Sequence, residues 1–108
     1  MRHTIVTYTV KPGREEENAA LVRAVFEELA RLGPEGFRYA AFHNPQTRQF
    51  VHLYTDEGGT PGVNLQDLPS FKAFVSEAAD RHEQPASFAR PELIGDYRTF
   101  EDPDRPAG

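Results

Sequence analysis

The chain has 108 residues, enough for one domain, and carries 12 Lys and Arg against 17 Asp and Glu, a formal net charge of −5. Nucleic acids are bound by clustered basic side chains, and the lack of such a cluster argues against a nucleic-acid partner. The absence of cysteine excludes disulfides, thiolate nucleophiles and cysteine metal sites. No apolar run approaches the roughly 20 residues that span a bilayer, and the N-terminus lacks the features of a signal peptide. We therefore expect a cytoplasmic protein without a membrane partner.

The first half of the chain begins with a strand and a helix. Residues 4–10 are β-branched and aromatic, a composition that predicts a strand. After a Lys-Pro-Gly sequence, residues 14–32 follow helical spacing with one apolar stripe. Gly33 and Pro34 end this predicted helix.

A hairpin follows, with apolar-rich strands at residues 37–43 and 50–54 and an Asn-Pro turn between them. Alternate side chains of a strand point to opposite faces of the sheet. If His43 pairs with Phe50, one face carries Phe37, Tyr39, Ala41, His43, Phe50, His52 and Tyr54, and the other carries Arg38, Ala40, Phe42, Val51, Leu53 and Thr55. Each face then holds large apolar groups, so the sheet needs cover on both sides.

The second half of the chain predicts a loop, a helix and a last strand. Residues 56–66 are rich in Gly and Pro, which indicates a flexible loop. We expect Asp67 to cap a second helix that runs to about His82. We also expect Phe88 to fill the edge of the core, and residues 92–100 to form the fourth strand. The domain then covers residues 1–100, and residues 101–108 form a polar tail.

The order βαββαβ is typical of the ferredoxin-like α+β fold, a four-stranded antiparallel sheet with two helices on one face. The opposite face is left bare. From strand spacing and length, this face has an area of roughly 300–400 Å², which is large for an exposed apolar patch. We therefore expect a homodimer whose sheets pack face to face, forming a dimeric α/β barrel. Because stable interfaces bury about 800 Å² per partner, loops or the C-terminal segment must contribute as well.

Four segments of the chain resemble antibiotic-biosynthesis-monooxygenase-like domains, which are dimeric α+β barrels. VKPGREE at residues 10–16, followed by an amphipathic helix, is similar to the opening of these domains. GFRYAAFHN at residues 36–44 and FVHLY at residues 50–54 resemble their second and third strands, and LPSFK at residues 68–72 resembles the entry to their second helix. The resemblance covers roughly residues 3–100 and implies the same fold and a homodimer.

The resemblance implies several activities rather than one. The superfamily includes cofactor-independent oxygenases of aromatic substrates, haem-degrading enzymes, isomerases and proteins without a known reaction. The haem-degrading branch uses Asn, Trp and His at places that align with Val6, Leu65 and Val75 here. These three residues are apolar, which argues against haem chemistry. Of these activities, an oxygenase of aromatic or quinone-like compounds that needs no cofactor is the one that we carry forward as a hypothesis.

An oxygenase of this kind needs a cavity, a base or hydrogen-bond acceptor, and donors for the developing charge. The residues that we expect to supply this chemistry are Tyr8, His52 and Tyr54 as catalytic groups, and Tyr39, His43 and Arg38 as substrate-binding groups. His43 and His52 share a strand face, but no third ligand accompanies them, so we predict no metal site.

Two hypotheses remain open for the function. In one, the protein binds or oxidises a small aromatic compound in a pocket between the helices and the sheet. In the other, it is a dimeric barrel with a binding or assembly role and no catalysis, in which the tyrosines and histidines belong to the core or to the interface. A cavity of about 300 Å³ or more, lined by Tyr8, His52 or Tyr54, favours the first hypothesis, and a filled core favours the second.

Overall fold

Four antiparallel strands form one sheet in the order β2-β3-β1-β4. The computed structural model describes residues 2–56 and 64–99. Its elements are β1 (Arg2–Thr9), α1 (Glu15–Leu32), β2 (Phe37–Asn44), β3 (Gln49–Asp56), a 3-10 turn (Leu65–Asp67), α2 (Pro69–Ser76), α3 (Ala78–Arg81) and β4 (Ser87–Ala89). The architecture confirms the predicted ferredoxin-like α+β fold.

The hairpin of β2 and β3 has the predicted register, because His43 lies opposite Phe50. Strand β1 extends the same face, with Val6 opposite His52 and Tyr8 opposite Phe50. The helices pack on this face and bury it. The core cluster consists of Tyr8, Val10, Ala19, Val22, Val25, Leu29, Phe50, Leu68 and Phe74.

The opposite face of the sheet has none of its residues in the core cluster. We call it the open face. It includes Ile5, Thr7, Thr9, Arg38, Ala40, Phe42, Val51, Leu53 and Thr55. The side chain of Phe42 is 49% exposed, and Val51 and Leu53 are half-buried. One layer of helices thus covers only one of the two apolar faces, as the sequence predicts.

The fourth strand lies earlier in the chain than predicted. Ser87–Ala89 pairs with Thr7, Val6 and Ile5 of β1, whereas residues 92–99 contain no strand. The chain is already beside β1 at His82, which forms a bridge with Val10. Pro91 lacks the N–H that a continued ladder requires, so the strand ends before it. The prediction for Phe88 was also wrong, because this side chain on an edge strand is 71% exposed.

The predicted second helix is divided in two. Glu77, at φ −126°, separates α2 from α3. The Arg81 guanidinium donates to the carbonyl of Phe74, the group that a continuous helix offers to the N–H of Ala78. Asp67 is not the cap of this helix but lies in the 3-10 turn, and Leu68 precedes α2.

The predicted bounds of β1 and α1 differ from the observed bounds by at most two residues. Gly33 ends α1 in the left-handed conformation, and its N–H donates to the carbonyl of Leu29 at 2.8 Å, as predicted from the Gly-Pro pair. Residues 57–63, which belong to the predicted loop, lie outside the described part of the chain. Residues 100–108, which include the predicted tail, also lie outside it. Among the helices that the structure describes, none is long and apolar enough to cross a bilayer.

Candidate functional site

Five side chains form a hydrogen-bonded relay between the helices and the sheet. Arg81 Nε donates to Asn18 Oδ1 at 3.1 Å, and Asn18 Nδ2 donates to the hydroxyl of Tyr8 at 2.8 Å. The Tyr8 hydroxyl is 2.8 Å from His52 Nε2, and His52 Nδ1 is 2.7 Å from the hydroxyl of Tyr39. We refer to Arg81, Asn18, Tyr8, His52 and Tyr39 in this order as the relay.

Strand alternation and two helix termini bring the relay together. Tyr8, His52 and Tyr39 lie on three neighbouring strands and share the helix-covered face. Asn18 belongs to the first turn of α1, and Arg81 is the last residue of α3. Both Asn18 and Arg81 are 0% exposed, so each must satisfy its polar groups within the protein.

The hydrogen bonds of the relay can be assigned so that each residue donates to the next, from Arg81 to Tyr39. Arg81 fixes the amide of Asn18, because its Nε–H requires the oxygen of that amide. The Tyr8 oxygen accepts from Asn18, and we assign the Tyr8 proton to His52 Nε2. The other ring nitrogen of His52 then carries its proton and donates to Tyr39. With this assignment, Tyr39 accepts from His52, and its own hydroxyl proton remains to be donated to a group outside the relay.

Burial keeps the relay neutral apart from Arg81. Desolvation lowers the pKa of His52 to about 4, with a smaller contribution from His82, so its ring is uncharged near neutral pH. Burial raises the pKa of Tyr8 to about 12, although Asn18 and Arg81 oppose this shift. Burial also raises the pKa of Tyr39, chiefly by desolvation. The two phenols therefore remain protonated hydrogen-bond donors.

A cavity of about 440 Å³ lies beside the relay. It is bounded by the helix-covered face of the sheet, by α2 and α3, and by the segment that leads into β4. The aromatic and histidine side chains of its lining are Tyr8, Tyr39, His52, Tyr54, Phe71, Phe74, His82 and Phe88. Drug-sized ligands bind in apolar cavities of about 300–1,000 Å³ with a few polar groups, and this cavity matches that description.

His82 is a cavity residue that the sequence did not reveal. Its ring stacks on Tyr8, with centroids 4.0 Å apart and planes 16° apart. It is 8% exposed, and its Nε2 has no hydrogen-bond partner among the described residues. Desolvation lowers the pKa of His82, and the positive charge of Arg81 lowers it further.

Four of the six predicted site residues meet at the cavity. Tyr8, His52, Tyr54 and Tyr39 all line it. His43 is exposed, stacks on Phe50 at 4.3 Å and does not line the cavity. Arg38 lies on the other side of the sheet, opposite Thr55. Within residues 2–56 and 64–99, no three His, Asp or Glu side chains are grouped to hold a metal ion.

Asn18 and Arg81 were missed because a sequence shows no distance between helices. A weak signal was present, since both polar residues fall in phase with an apolar stripe. Asn18 precedes Val22 by one helical turn, and Arg81 follows Ala78 by three residues. A polar side chain in an apolar stripe indicates a buried hydrogen bond, but not its partner.

The sheet order can be compared with that of known proteins. Neither a protein-family model nor a curated protein matches the chain. Solved structures do match it. One described as an antibiotic biosynthesis monooxygenase has a TM-score of 0.67 and 14% identity, covering 88% of this chain and 100% of its own. The chain has the antibiotic-biosynthesis-monooxygenase-like fold.

Two further solved structures match the fold of this chain about as well. A Pseudomonas aeruginosa protein matches with a TM-score of 0.67 and 17% identity, covering 87% of this chain and 94% of its own. A Nitrosomonas europaea protein of unknown function matches with a TM-score of 0.66 and 19% identity, covering 99% and 95%. At these identities the likeness establishes the fold, and the activity must be argued from the site.

Proposed function

We propose that the cavity binds a small aromatic or quinone-like compound and that the protein oxidises it with molecular oxygen, without a cofactor. The observation that carries this proposal is the cavity of about 440 Å³, which has aromatic walls and the relay along one side. Aromatic side chains favour a flat ring between them, through stacked and edge-to-face contacts. The relay supplies the few placed polar groups that orient a ligand.

Tyr39 is the residue that we expect to act on the ligand most directly. It ends the relay, lines the cavity and, with the donors assigned as above, has a proton that the relay does not use. A phenol held in this way donates to a ligand oxygen and stabilises negative charge as that charge develops. Tyr54 lines the same wall, and its ring lies 5.8 Å from that of Tyr39.

The proposed reaction balances without an external reductant. A ring CH₂ group next to an ionisable hydroxyl becomes a carbonyl, while O₂ supplies one oxygen to the carbonyl and one to water. Both hydrogens of the water come from the oxidised carbon. The substrate thus supplies all four electrons, and the protein has to bind it, exclude water and stabilise its anion.

The test is oxygen consumption with a panel of hydroxylated and partly reduced polycyclic aromatic compounds, followed by mass spectrometry of the products. We expect turnover of at least one compound and a loss of about a hundredfold in Tyr39→Phe, as for a single lost oxyanion donor. Tyr97→Phe is the control, because Tyr97 is 86% exposed and does not line the cavity. If no compound is bound or oxidised above the rate in buffer, the proposal is wrong.

One observation supports the second function, binding without catalysis. The pKa of His52 is lowered to about 4, which makes its ring a weak base near neutral pH. In this alternative the relay only positions a ligand. Binding of the panel compounds without oxygen consumption or product formation separates this function from the first.

We further propose that a second copy of the chain covers the open face and completes a barrel. The area of the open face is smaller than the surface that each partner buries in a stable interface, which is about 800 Å². The segment after β4 supplies more apolar surface, since Leu93 is 61% and Ile94 100% exposed. Exposed apolar patches of this size are typical of interfaces.

A further inference from the structure

His82 lines the cavity, and its Nε2 is a buried polar atom that the relay does not satisfy. It has no hydrogen-bond partner in the described part of the chain. Its ring stacks on Tyr8, and the bridge between His82 and Val10 fixes the backbone of His82 beside β1. Native proteins leave few such atoms unpaired, because each costs free energy unless a partner arrives. Because His82 lines the cavity, a small turn of its ring toward a bound ligand would supply that partner.

The chemistry of imidazole restricts what the partner is. Desolvation and the charge of Arg81 both favour the neutral ring. In a neutral ring, Nε2 either donates or accepts, depending on the tautomer. A hydroxyl group satisfies both tautomers, since it carries one donor and two acceptor positions.

The surroundings of His82 favour a hydroxyl on a ring. Tyr8 and Phe74 lie beside it, with ring centroids 4.0 Å and 6.3 Å from the His82 ring. Arg81 precedes His82 in the chain, and the charge of its guanidinium opposes the rise in the pKa of Tyr8 and contributes to the lowered pKa of His82. The positive potential at this end of the cavity favours a ring hydroxyl that ionises.

We propose that His82 Nε2 hydrogen-bonds directly to a ring hydroxyl of the ligand, and that His82 thereby selects hydroxylated aromatic compounds over their hydrocarbon analogues. The inference rests on the proposed function, because it takes the cavity to bind an aromatic compound. It adds a specificity residue on the helix side of the cavity, whereas the relay ends on the sheet side.

Calorimetry with 2-naphthol and 2-methylnaphthalene tests this inference, because the two probes differ by a hydroxyl in place of a methyl group. We expect the wild-type protein to bind 2-naphthol about tenfold more tightly, as one buried hydrogen bond predicts. In His82→Phe, which keeps the aromatic stack on Tyr8, this preference should vanish while 2-methylnaphthalene binds as before. His82→Gln places an amide near Nε2 and should retain most of the preference.

The outcomes separate the two proposals. If His82→Phe still prefers 2-naphthol by about tenfold, or binds both probes equally more weakly, the inference is wrong and the cavity proposal stands. If the wild-type protein binds neither probe, the proposed function fails and the inference fails with it. Unchanged binding of 2-methylnaphthalene also shows that each variant is folded.

Discussion

The Tyr8 hydroxyl lies 2.8 Å from His52 Nε2, although Val6, and not Tyr8, is the residue opposite His52 in the sheet. The two side chains meet diagonally across β1 and β3 on the helix-covered face. This contact joins the half of the relay that is anchored in α1 and α3 to the half that is anchored in the hairpin. It makes Tyr8 the residue through which the helices set the orientation of His52.

Removal of the Tyr8 hydroxyl should destabilise the protein. In Tyr8→Phe, the amide of Asn18 and Nε2 of His52 both lose a buried partner, so we expect a loss of about 1–3 kcal/mol in the free energy of unfolding. Urea denaturation measures this loss. Tyr54→Phe is the matched control and should change stability by less than about 0.5 kcal/mol, since the Tyr54 hydroxyl bonds to no described residue. An equal effect of the two variants contradicts the relay.

Stability should fall as the pH is lowered from 7 to 5. The unfolded chain protonates His52 near its ordinary pKa of 6.5, but the folded protein does so only near 4. The unfolded state therefore binds more protons in this range. The stabilisation is present above pH 6.5 and is lost progressively as the pH falls from 6.5 to about 4. The expected loss between pH 7 and pH 5 is about 2 kcal/mol from His52 alone.

Denaturation curves at several pH values above 5 measure this dependence and avoid the range in which carboxylates titrate. His52→Gln should flatten the dependence, because glutamine does not ionise. Tyr97→Phe is the control and should keep the wild-type dependence, since Tyr97 is exposed and lies outside the relay. A wild-type protein with the same stability at pH 7 and pH 5 shows that His52 is not desolvated as described.

Replacement of His82 by phenylalanine should stabilise the ligand-free protein. Phenylalanine keeps the stack on Tyr8 and removes the unpaired buried nitrogen, so the free energy of unfolding should rise by about 1 kcal/mol. Thermal unfolding without ligand measures this change. His43→Phe, at an exposed position, should stay within about 0.5 kcal/mol of the wild type. A clear loss of stability in His82→Phe means that Nε2 has a partner in the folded protein.

A charge on the open face should separate the proposed dimer without unfolding it. Val51→Glu and Leu53→Glu place a carboxylate on this face, where the core is not disturbed. We expect monomers by light scattering and an unchanged circular dichroism spectrum. Leu32→Glu is the control, at an exposed site at the end of α1, and should remain a dimer. A folded dimer in both open-face variants is incompatible with packing through this face.

The sequence predicted the cavity residues on the strands better than those on the helices and in the segment that follows them. Strand alternation alone places Tyr39, His52 and Tyr54 on one face once the turn fixes the register, because the period of a strand is two. The central position of β1 then adds Tyr8. These residues depend only on local pattern and on the order of the strands.

Asn18, Arg81 and His82 depend on how the helices dock, which no local pattern encodes. Arg81 both completes the relay and takes the Phe74 carbonyl, and the predicted long helix is therefore divided. The bridge between His82 and Val10 brings the chain to β1 early, so β4 forms at Ser87–Ala89 and not after Pro91. Tertiary contacts outweighed local propensity at each of these places.

The most direct measurement is a crystal structure of the protein soaked with a panel of aromatic and quinone compounds. We predict a ring compound in the cavity beside Tyr8 and Phe74, with an oxygen within hydrogen-bond distance of the Tyr39 hydroxyl or of His82 Nε2. If every compound is absent from the cavity or bound only elsewhere on the surface, the cavity is not a ligand site and the proposed function is wrong.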